Sequence, residues 1–366
     1  MVRVLWVYEC LSPQIQQIAG IVASHPEIEL EIMTRNTELP ESAVDVPLIP
    51  LECRNKVDFR ARRAIRKQVI RGNYDLVHCY TSRNLANTLA ACSGLSPRPQ
   101  VIGYRGTVNR LSRLDPANWI TFWHSGVAAI TCVCNATQRA LLESGISEHK
   151  LHTVWEGCNP AALTTSQEYT RADFDIPEDA FVVGTVASIR RVKGMHLLLE
   201  AVRSDLADLD NLYVLLIGDV FDNELKRMAT DPHLASRVRL PGRIARGGGC
   251  AGLFDVYAAP SLMEGLSMSI MECMTQQVCP LVSDAGGNVE LIRHEQDGLV
   301  VPQGDATALG SALRHLYNHP ELRAAYAQSA HQRASEIFTV PQWGNRLLDT
   351  YLQVANATPS PISKAA

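Results

Sequence analysis

No run in this chain approaches the ~20 consecutive apolar residues that a membrane-spanning helix needs, and there is no excess of basic residues. The 34 Lys and Arg stand against 38 Asp and Glu, a net charge of −4, which gives no basis for bulk attraction to nucleic acid. The ten cysteines are scattered and form no C-x-x-C pair; Cys132 and Cys134 are one residue apart on an expected strand. They read as reduced, mostly buried thiols of a cytoplasmic protein. Met1-Val2-Arg3 leads directly into V-L-W-V-Y, too short and wrongly flanked for a secretory signal. No residue stands out as a covalent nucleophile. What is present is ordinary for a globular chain: 46% hydrophobic and 20% charged residues, over a length of 366 that suggests two domains.

The chain is organised around residues 258–302, AAPSLMEGLSMSIMECMTQQVCPLVSDAGGNVELIRHEQDGLVVP. An apolar run ending at Pro260-Ser261 reads as a buried strand stopped by a turn. A helical pattern over 267–277 places Met268, Ile270, Met271 and Met274 on one side. A strand over 279–283, a turn at Asp284-Ala285-Gly286-Gly287 and a short helix over 288–293 follow. This repeated strand, glycine turn and helix sets helix N-termini at the carboxyl ends of parallel strands, a geometry suited to a diphosphate. Glu264 and Glu272 are eight residues apart, one before the helix and one within it. Either carboxylate can accept two O–H bonds from vicinal hydroxyls without a metal. One would hold a ribose and the other a sugar ring, with the diphosphate on the backbone of Gly265, Leu266 and Ser267. The alternative is that Glu272 closes a capping box with Ser269 and that Glu264 is a solvated loop acid.

The segment E-G-L-S-M-S-I-M-E resembles the E-x7-E motif of glycosyltransferase family 4, whose members are retaining, nucleotide-sugar-dependent enzymes of the GT-B fold. P-L-V-S-D-A-G-G-N-V-E-L-I and D-G-L-V-V-P are similar to the same family's donor site. The resemblance implies an α/β chain of two doubly wound Rossmann-like domains facing across a cleft. The expected limits are 1–165 plus a crossover helix at about 340–356 for the acceptor domain, and 172–338 for the donor domain. It implies transfer from a nucleotide diphosphate sugar, a UDP- or GDP-sugar, with no cofactor and no obligatory metal. Glu264 would then position the donor sugar, Glu272 the ribose, and Lys193 with Gly265, Leu266 and Ser267 the leaving diphosphate.

In the first half, residues 2–8, 28–33, 76–79, 101–107, 128–134 and 151–155 read as strands, and 12–25, 82–92 and 136–144 as helices. The loop over 9–14 has no glycine, where many members of the family carry a glycine-rich turn. His78 ends a strand where many members have a histidine, and is a candidate contact for acceptor or sugar beside a structural reading. Tyr104-Arg105-Gly106 falls where the family usually has a histidine before the glycine. Arg105 is either a structural ion-pair partner or a guanidinium fork for an acidic group on donor or acceptor. Arg54, Lys56, Arg60, Arg62, Arg63, Arg66, Lys67 and Arg71 stand against the single acid Asp58. Such a run is a solvated helix face, or a contact with an anionic membrane surface or a phosphate-rich acceptor.

Polar, aperiodic residues 161–175 read as the interdomain linker. Asp173-Phe174-Asp175 and Asp208-Leu209-Asp210 match D-x-D, yet neither follows a buried strand, so no metal site is assigned. After the strand over 181–186, Arg190, Arg191, Lys193 and Gly194 open a helix. The family's preceding arginine is here Ser188, so Arg190 or Arg191 is expected on the diphosphate. Three cations at the positive end of a helix call for an anion. By resemblance Arg243 and Ile244 border the base. Gly247, Gly249 and Gly252 formally spell G-x-G-x-x-G outside a βαβ frame, so 246–252 reads as a mobile loop beside the donor. Helices are expected over 306–318, 320–337 and 340–354, and a disordered tail from 357.

The expectation is a retaining hexosyltransferase acting on a surface glycan, lipopolysaccharide or lipid-linked acceptor, cytoplasmic or peripheral at the inner face of the cytoplasmic membrane. Two rivals stand beside it. A nucleotide-sugar epimerase of the same architecture needs acid/base groups, for which His78 and His124 are the available histidines. A nucleotide-sugar-binding protein without activity would account for Arg105 and Ser188 at positions where the family has other residues.

Overall fold

Short runs of Val, Ile and Leu, each followed by helical periodicity, build two parallel sheets whose strands are apolar because helices cover both faces. The computed structural model describes residues 1–37, 45–160, 169–244 and 247–357. The chain divides into two units, Met1–Glu156 together with the chain from Val340, and Gly157–Thr339. The boundary expected near residue 165 therefore falls at 156/157. Of the expected linker, 161–168 lies outside the described residues. Its remainder is structured: Arg171–Phe174 forms a helical turn that buries Phe174. The expected tail from 358 onward also lies outside the described residues.

The first unit runs β1 (Val2–Val7), α1 (Pro13–Ala23), β2 (Ile28–Thr34), β3 (Leu48–Pro50), α2 (Phe59–Gly72), β4 (Leu76–Cys79), α3 (Ser82–Ala91), β5 (Gln100–Arg105), α4 (Pro116–Trp119), β6 (Val127–Cys132), α5 (Asn135–Glu143) and β7 (Leu151–Thr153). The strands pair in the order β3-β2-β1-β4-β5-β6-β7, all parallel. Strand order reverses between β1 and β4, the kind of switch point outside which α/β sheets bind ligands. Helix starts follow their caps: Ser12 accepts from the Ile15 N–H, and Asp58 from those of Arg60 and Ala61.

The second unit runs β8 (Phe181–Val186), α6 (Met195–Ser204), β9 (Leu212–Ile217), α7 (Asn223–Ala229), β10 (Val238–Gly242), β11 (Val256–Ala259), α8 (Met268–Thr275), β12 (Cys279–Ser283), α9 (Asn288–Leu291), β13 (Leu299–Val301), α10 (Ala306–Asn318) and α11 (Pro320–Ile337). Its order is β10-β9-β8-β11-β12-β13, again parallel, with the reversal between β8 and β11. Helix α12 (Val340–Asn356) belongs to the first unit, where Trp343, Leu347 and Tyr351 join Val4 and Trp6 in one core. Gly344 lets it approach α1: a Cβ there would stand 2.6 Å from Ile21 Cγ2. All ten cysteines are unpaired, Cys10 exposed and Cys53 half-buried, the others enclosed. Among the described residues no helix is long and apolar enough to cross a membrane.

Candidate functional site

In the second unit, the turns that follow β8 and β11 flank the reversal of strand order, and they are zipped together. Leu262 donates its N–H to the Val192 carbonyl at 2.7 Å. Gly194 has φ +70°, and a Cβ on it would lie 1.8 Å from the Pro260 carbonyl oxygen, so only glycine fits. This close approach brings Lys193 Nζ to 2.6 Å from Glu264 Oε2. Both side chains are largely enclosed, and the Ser261 hydroxyl donates to the same carboxylate oxygen at 3.2 Å. Ser261 is in turn fixed by Ser283, whose hydroxyl donates to its carbonyl at 2.6 Å. Sequence reasoning missed Ser261; its signal was only the Pro260-Ser261 turn.

Gly265, Leu266 and Ser267 lead into α8, and among the described residues their backbone N–H groups have no hydrogen-bond acceptor. These donors and the first turn of α8 point positive partial charge beside the Lys193–Glu264 pair. Ser267 is the N-cap residue without a side-chain cap bond; its hydroxyl instead meets that of Ser269 at 3.2 Å. The capping box between Ser269 and Glu272 does not form. Glu272 sits one turn into α8, and among the described residues nothing donates to its carboxylate. Burial pushes that carboxyl up to about 7. A half-buried carboxylate with free lone pairs is poised to accept hydroxyl donors.

Arg190 and Arg191 are placed differently from expectation. Arg191 pairs with Glu224 and lies 3.9 Å from Asp222, so its charge is offset by α7 and its cap and needs no external anion. Arg190 lies over the ring of Phe221, 5.7 Å from its centroid. Ile189 anchors this turn by exchanging backbone bonds with Asp219 and Phe221. Asp219, Phe221, Lys226, Leu240 and Gly242 line an open concavity of about 550 Å³ beyond it. Arg243 is exposed and Ile244 half-buried. Gly247 lies against the side chains of Ile217, Ile244 and Val186, each 3.3–3.5 Å from where its Cβ would be. The expected loop over 246–252 is corrected: Gly247–Leu253 is a 3₁₀ helix that buries Cys250 and Ala251, while Arg246 lies outside the described residues.

In the first unit Arg105 has no carboxylate within ion-pair distance among the described residues. Its guanidinium donates to the carbonyls of Thr107 at 3.2 Å and Asn109 at 2.9 Å and lies over Phe122 at 5.2 Å. The ion-pair reading of Arg105 therefore falls, and an oriented cation remains. His78 is a correction. It is fully buried, its Nδ1 2.7 Å from the Tyr351 hydroxyl and its Nε2 3.1 Å from Thr131 Oγ1. Burial lowers it to about 3, so it stays neutral and supports the sheet rather than contacting a sugar. His124 accepts the Gly126 N–H on Nδ1 at 3.0 Å and is likewise lowered by burial and by Arg98. Neither histidine is poised as the acid/base an epimerase needs.

The basic run forms α2 and the turn before it. Arg62 donates to Asn87 and Lys56, and Arg66 to the carbonyls of Ala91 and Ser93, so these two are structural. Arg60, Arg63, Lys67 and Arg71 are exposed beside Phe59 and Ile70, which are 76% and 60% exposed. Of the two D-x-D matches, Asp173 closes a capping box with Thr170 and Asp208 pairs with Arg314.

Both halves of the chain match known proteins. A family model described as "Glycosyl transferases group 1" matches residues 166–333, and one described as "Glycosyltransferase Family 4" matches residues 27–162. The lipopolysaccharide core biosynthesis glycosyltransferase LpsE of Rhizobium meliloti is 30% identical over 190 residues, 52% of this chain. The match covers 54% of LpsE, so the shared stretch spans about half the length of that relative. Among solved structures, a glycosyltransferase from Rickettsia africae superposes with a TM-score of 0.80 at 18% identity, covering 98% of this chain and 99% of its own. HepE from Anabaena in complex with UDP gives 0.73 at 18% identity, covering 96% and 100%. At these identities the structural likeness is one of fold, and that fold is GT-B, two Rossmann-like α/β domains.

Proposed function

Because this chain belongs to glycosyltransferase family 4, we propose that it moves a sugar from a nucleotide diphosphate sugar, a UDP- or GDP-sugar, to a hydroxyl of a glycan, lipopolysaccharide or lipid-linked acceptor, with retention at the anomeric carbon. The observation that carries this reading is the Lys193–Glu264 pair, 2.6 Å apart, beside the N–H groups of Gly265, Leu266 and Ser267, which have no acceptor among the described residues. Breaking the sugar–phosphate bond leaves charge on the diphosphate, and fixed donors with a lysine stabilise it where it develops. Lys193 has three N–H bonds to give, so it can serve a phosphate while still held by Glu264. Glu264 then orients the sugar and Glu272 takes the ribose hydroxyls. Arg190 supports the nucleotide from Phe221, and Arg243 and Ile244 border the base. These groups supply charge stabilisation without an obligatory metal. Arg105 is the guanidinium for an acidic group on donor or acceptor. The exposed α2 face, with Phe59, Ile70 and four cations, meets the anionic inner face of the cytoplasmic membrane.

The test is proton NMR of UDP-glucose and GDP-mannose incubated with the protein, water serving as acceptor. Release of the α-anomer first supports a retaining transferase. A new isomeric nucleotide sugar would instead make the protein an epimerase, and no turnover of any nucleotide sugar would leave only binding.

A further inference from the structure

Three tyrosines stand side by side at the carboxyl ends of three adjacent strands in the first unit: Tyr8 after β1, Tyr80 after β4 and Tyr104 near the end of β5. The ring centroids are 4.5 Å apart for Tyr8–Tyr80 and 5.7 Å for Tyr80–Tyr104. Tyr8 and Tyr80 straddle the β1/β4 reversal. His78 lies under Tyr80 at 4.2 Å, its own position fixed by Tyr351 and Thr131, so the row rests on a rigid base. Glu156, after β7, meets the end of this row, with Tyr104 donating its hydroxyl to Oε1 at 2.7 Å. Among the described residues nothing donates to the other carboxylate oxygen, no Lys or Arg pairs with it, and the Tyr8 hydroxyl has no partner. All four residues are half-buried. Burial raises the Glu156 carboxyl, against the Tyr104 bond that lowers it, and raises Tyr8 to about 12, so Tyr8 stays a neutral donor.

We propose that Tyr8, Tyr80, Tyr104 and Glu156 form a saccharide subsite that takes a neutral sugar ring of the acceptor. The proposal rests on the transferase reading and adds the class of group recognised. Glu156 accepts and Tyr8 donates hydrogen bonds to ring hydroxyls, while the accessible edge of the half-buried tyrosine row covers the apolar face of the sugar. An unpaired carboxylate excludes a phosphate from this place, so the acceptor is recognised here by hydroxyls and not by a phosphate group.

Saturation-transfer NMR on the full chain tests this, with methyl α-D-mannopyranoside, methyl α-D-glucopyranoside, methyl α-D-galactopyranoside and methyl β-N-acetylglucosaminide as probes and inorganic phosphate as competitor. At least one glycoside should receive saturation from the wild type. That signal should fall severalfold in Glu156→Gln and in Tyr8→Phe, and phosphate should leave it unchanged. Tyr8→Phe deletes one unpartnered oxygen and guards against a folding defect in Glu156→Gln, and melting midpoints check both. A wild type that saturates no glycoside, variants that saturate like the wild type, or displacement by phosphate would each overturn the subsite. Nucleotide binding is read separately by thermal shift. If nucleotides stabilise the protein and glycosides do not bind, the subsite falls and the transferase reading stands; if nucleotides also fail, that reading falls with it.

Discussion

Lys193 Nζ lies 2.6 Å from Glu264 Oε2, across 71 residues of sequence, and joins the turn after β8 to the turn after β11. The pair separates two roles that substitution can tell apart. Lys193→Met removes a charge-assisted donor worth about 1.5–3 kcal/mol and should weaken nucleoside diphosphate binding by roughly 10- to 100-fold. Glu264→Gln keeps the shape and should leave that affinity nearly unchanged while lowering turnover of the sugar nucleotide. Calorimetry and turnover on the two variants check this; equal loss of binding in both would contradict the division.

Gly194 makes that pair possible. With φ +70° and the Pro260 carbonyl oxygen 1.8 Å from where a Cβ would stand, Gly194→Ala is both strained and blocked. It should cost about 1–3 kcal/mol of stability and abolish the nucleotide-induced thermal shift, because the two turns separate. Retained nucleotide binding in a folded Gly194→Ala protein would sever the link between this close approach and the site.

Glu272 sets a pH dependence. Its folded value of about 7 lies above the ordinary glutamate value of 4.5. The folded state therefore holds the extra proton in that interval. This contribution to stability is full below the ordinary value and is lost as pH rises to about 7. The proposed ribose contact should run the other way, since an ionised carboxylate can accept two hydroxyls. Nucleotide affinity should rise from about pH 6 to about pH 8, and Glu272→Gln should flatten both trends. Denaturant titrations and calorimetry across that range read the two signs separately.

The α2 face predicts salt-sensitive binding to phosphatidylglycerol vesicles. Each cation near such a surface contributes about 1 kcal/mol, so Arg63→Glu with Lys67→Glu should reduce binding at least tenfold in a flotation assay. Phe59→Ser should weaken it without changing the salt dependence. Equal flotation of wild type and double variant would rule out the α2 face as a membrane contact.

Much of this was legible in the residues themselves. Apolar runs such as Phe181–Val186 read as buried strands because both faces are covered, and E-G-L-S-M-S-I-M-E placed Glu264 and Glu272 around one helix start. What was not legible depended on partners distant in sequence. Arg191 looked like a cation awaiting an anion because Glu224 is 33 residues away, on α7. His78 looked available at a strand end until α12 returned Tyr351 to its ring, 273 residues on. Gly247, Gly249 and Gly252 argued for a loop, yet Gly247–Leu253 winds into a 3₁₀ helix that buries Cys250 and Ala251. Glu156 carried no signal at all, since its meaning lies in a tyrosine row assembled by the order of β1, β4 and β5.

The most direct measurement is a thermal-shift panel of UDP, GDP, ADP, TDP and CDP, run with magnesium and again with EDTA. A ligand at a hundred times its dissociation constant stabilises by about 2.7 kcal/mol, well within detection. One base should stand out, EDTA should leave its shift unchanged, and Glu272→Ala should remove it. A panel in which no nucleotide shifts the protein, or in which the shift needs magnesium, would contradict a metal-independent nucleotide-sugar site at Lys193, Glu264 and Glu272.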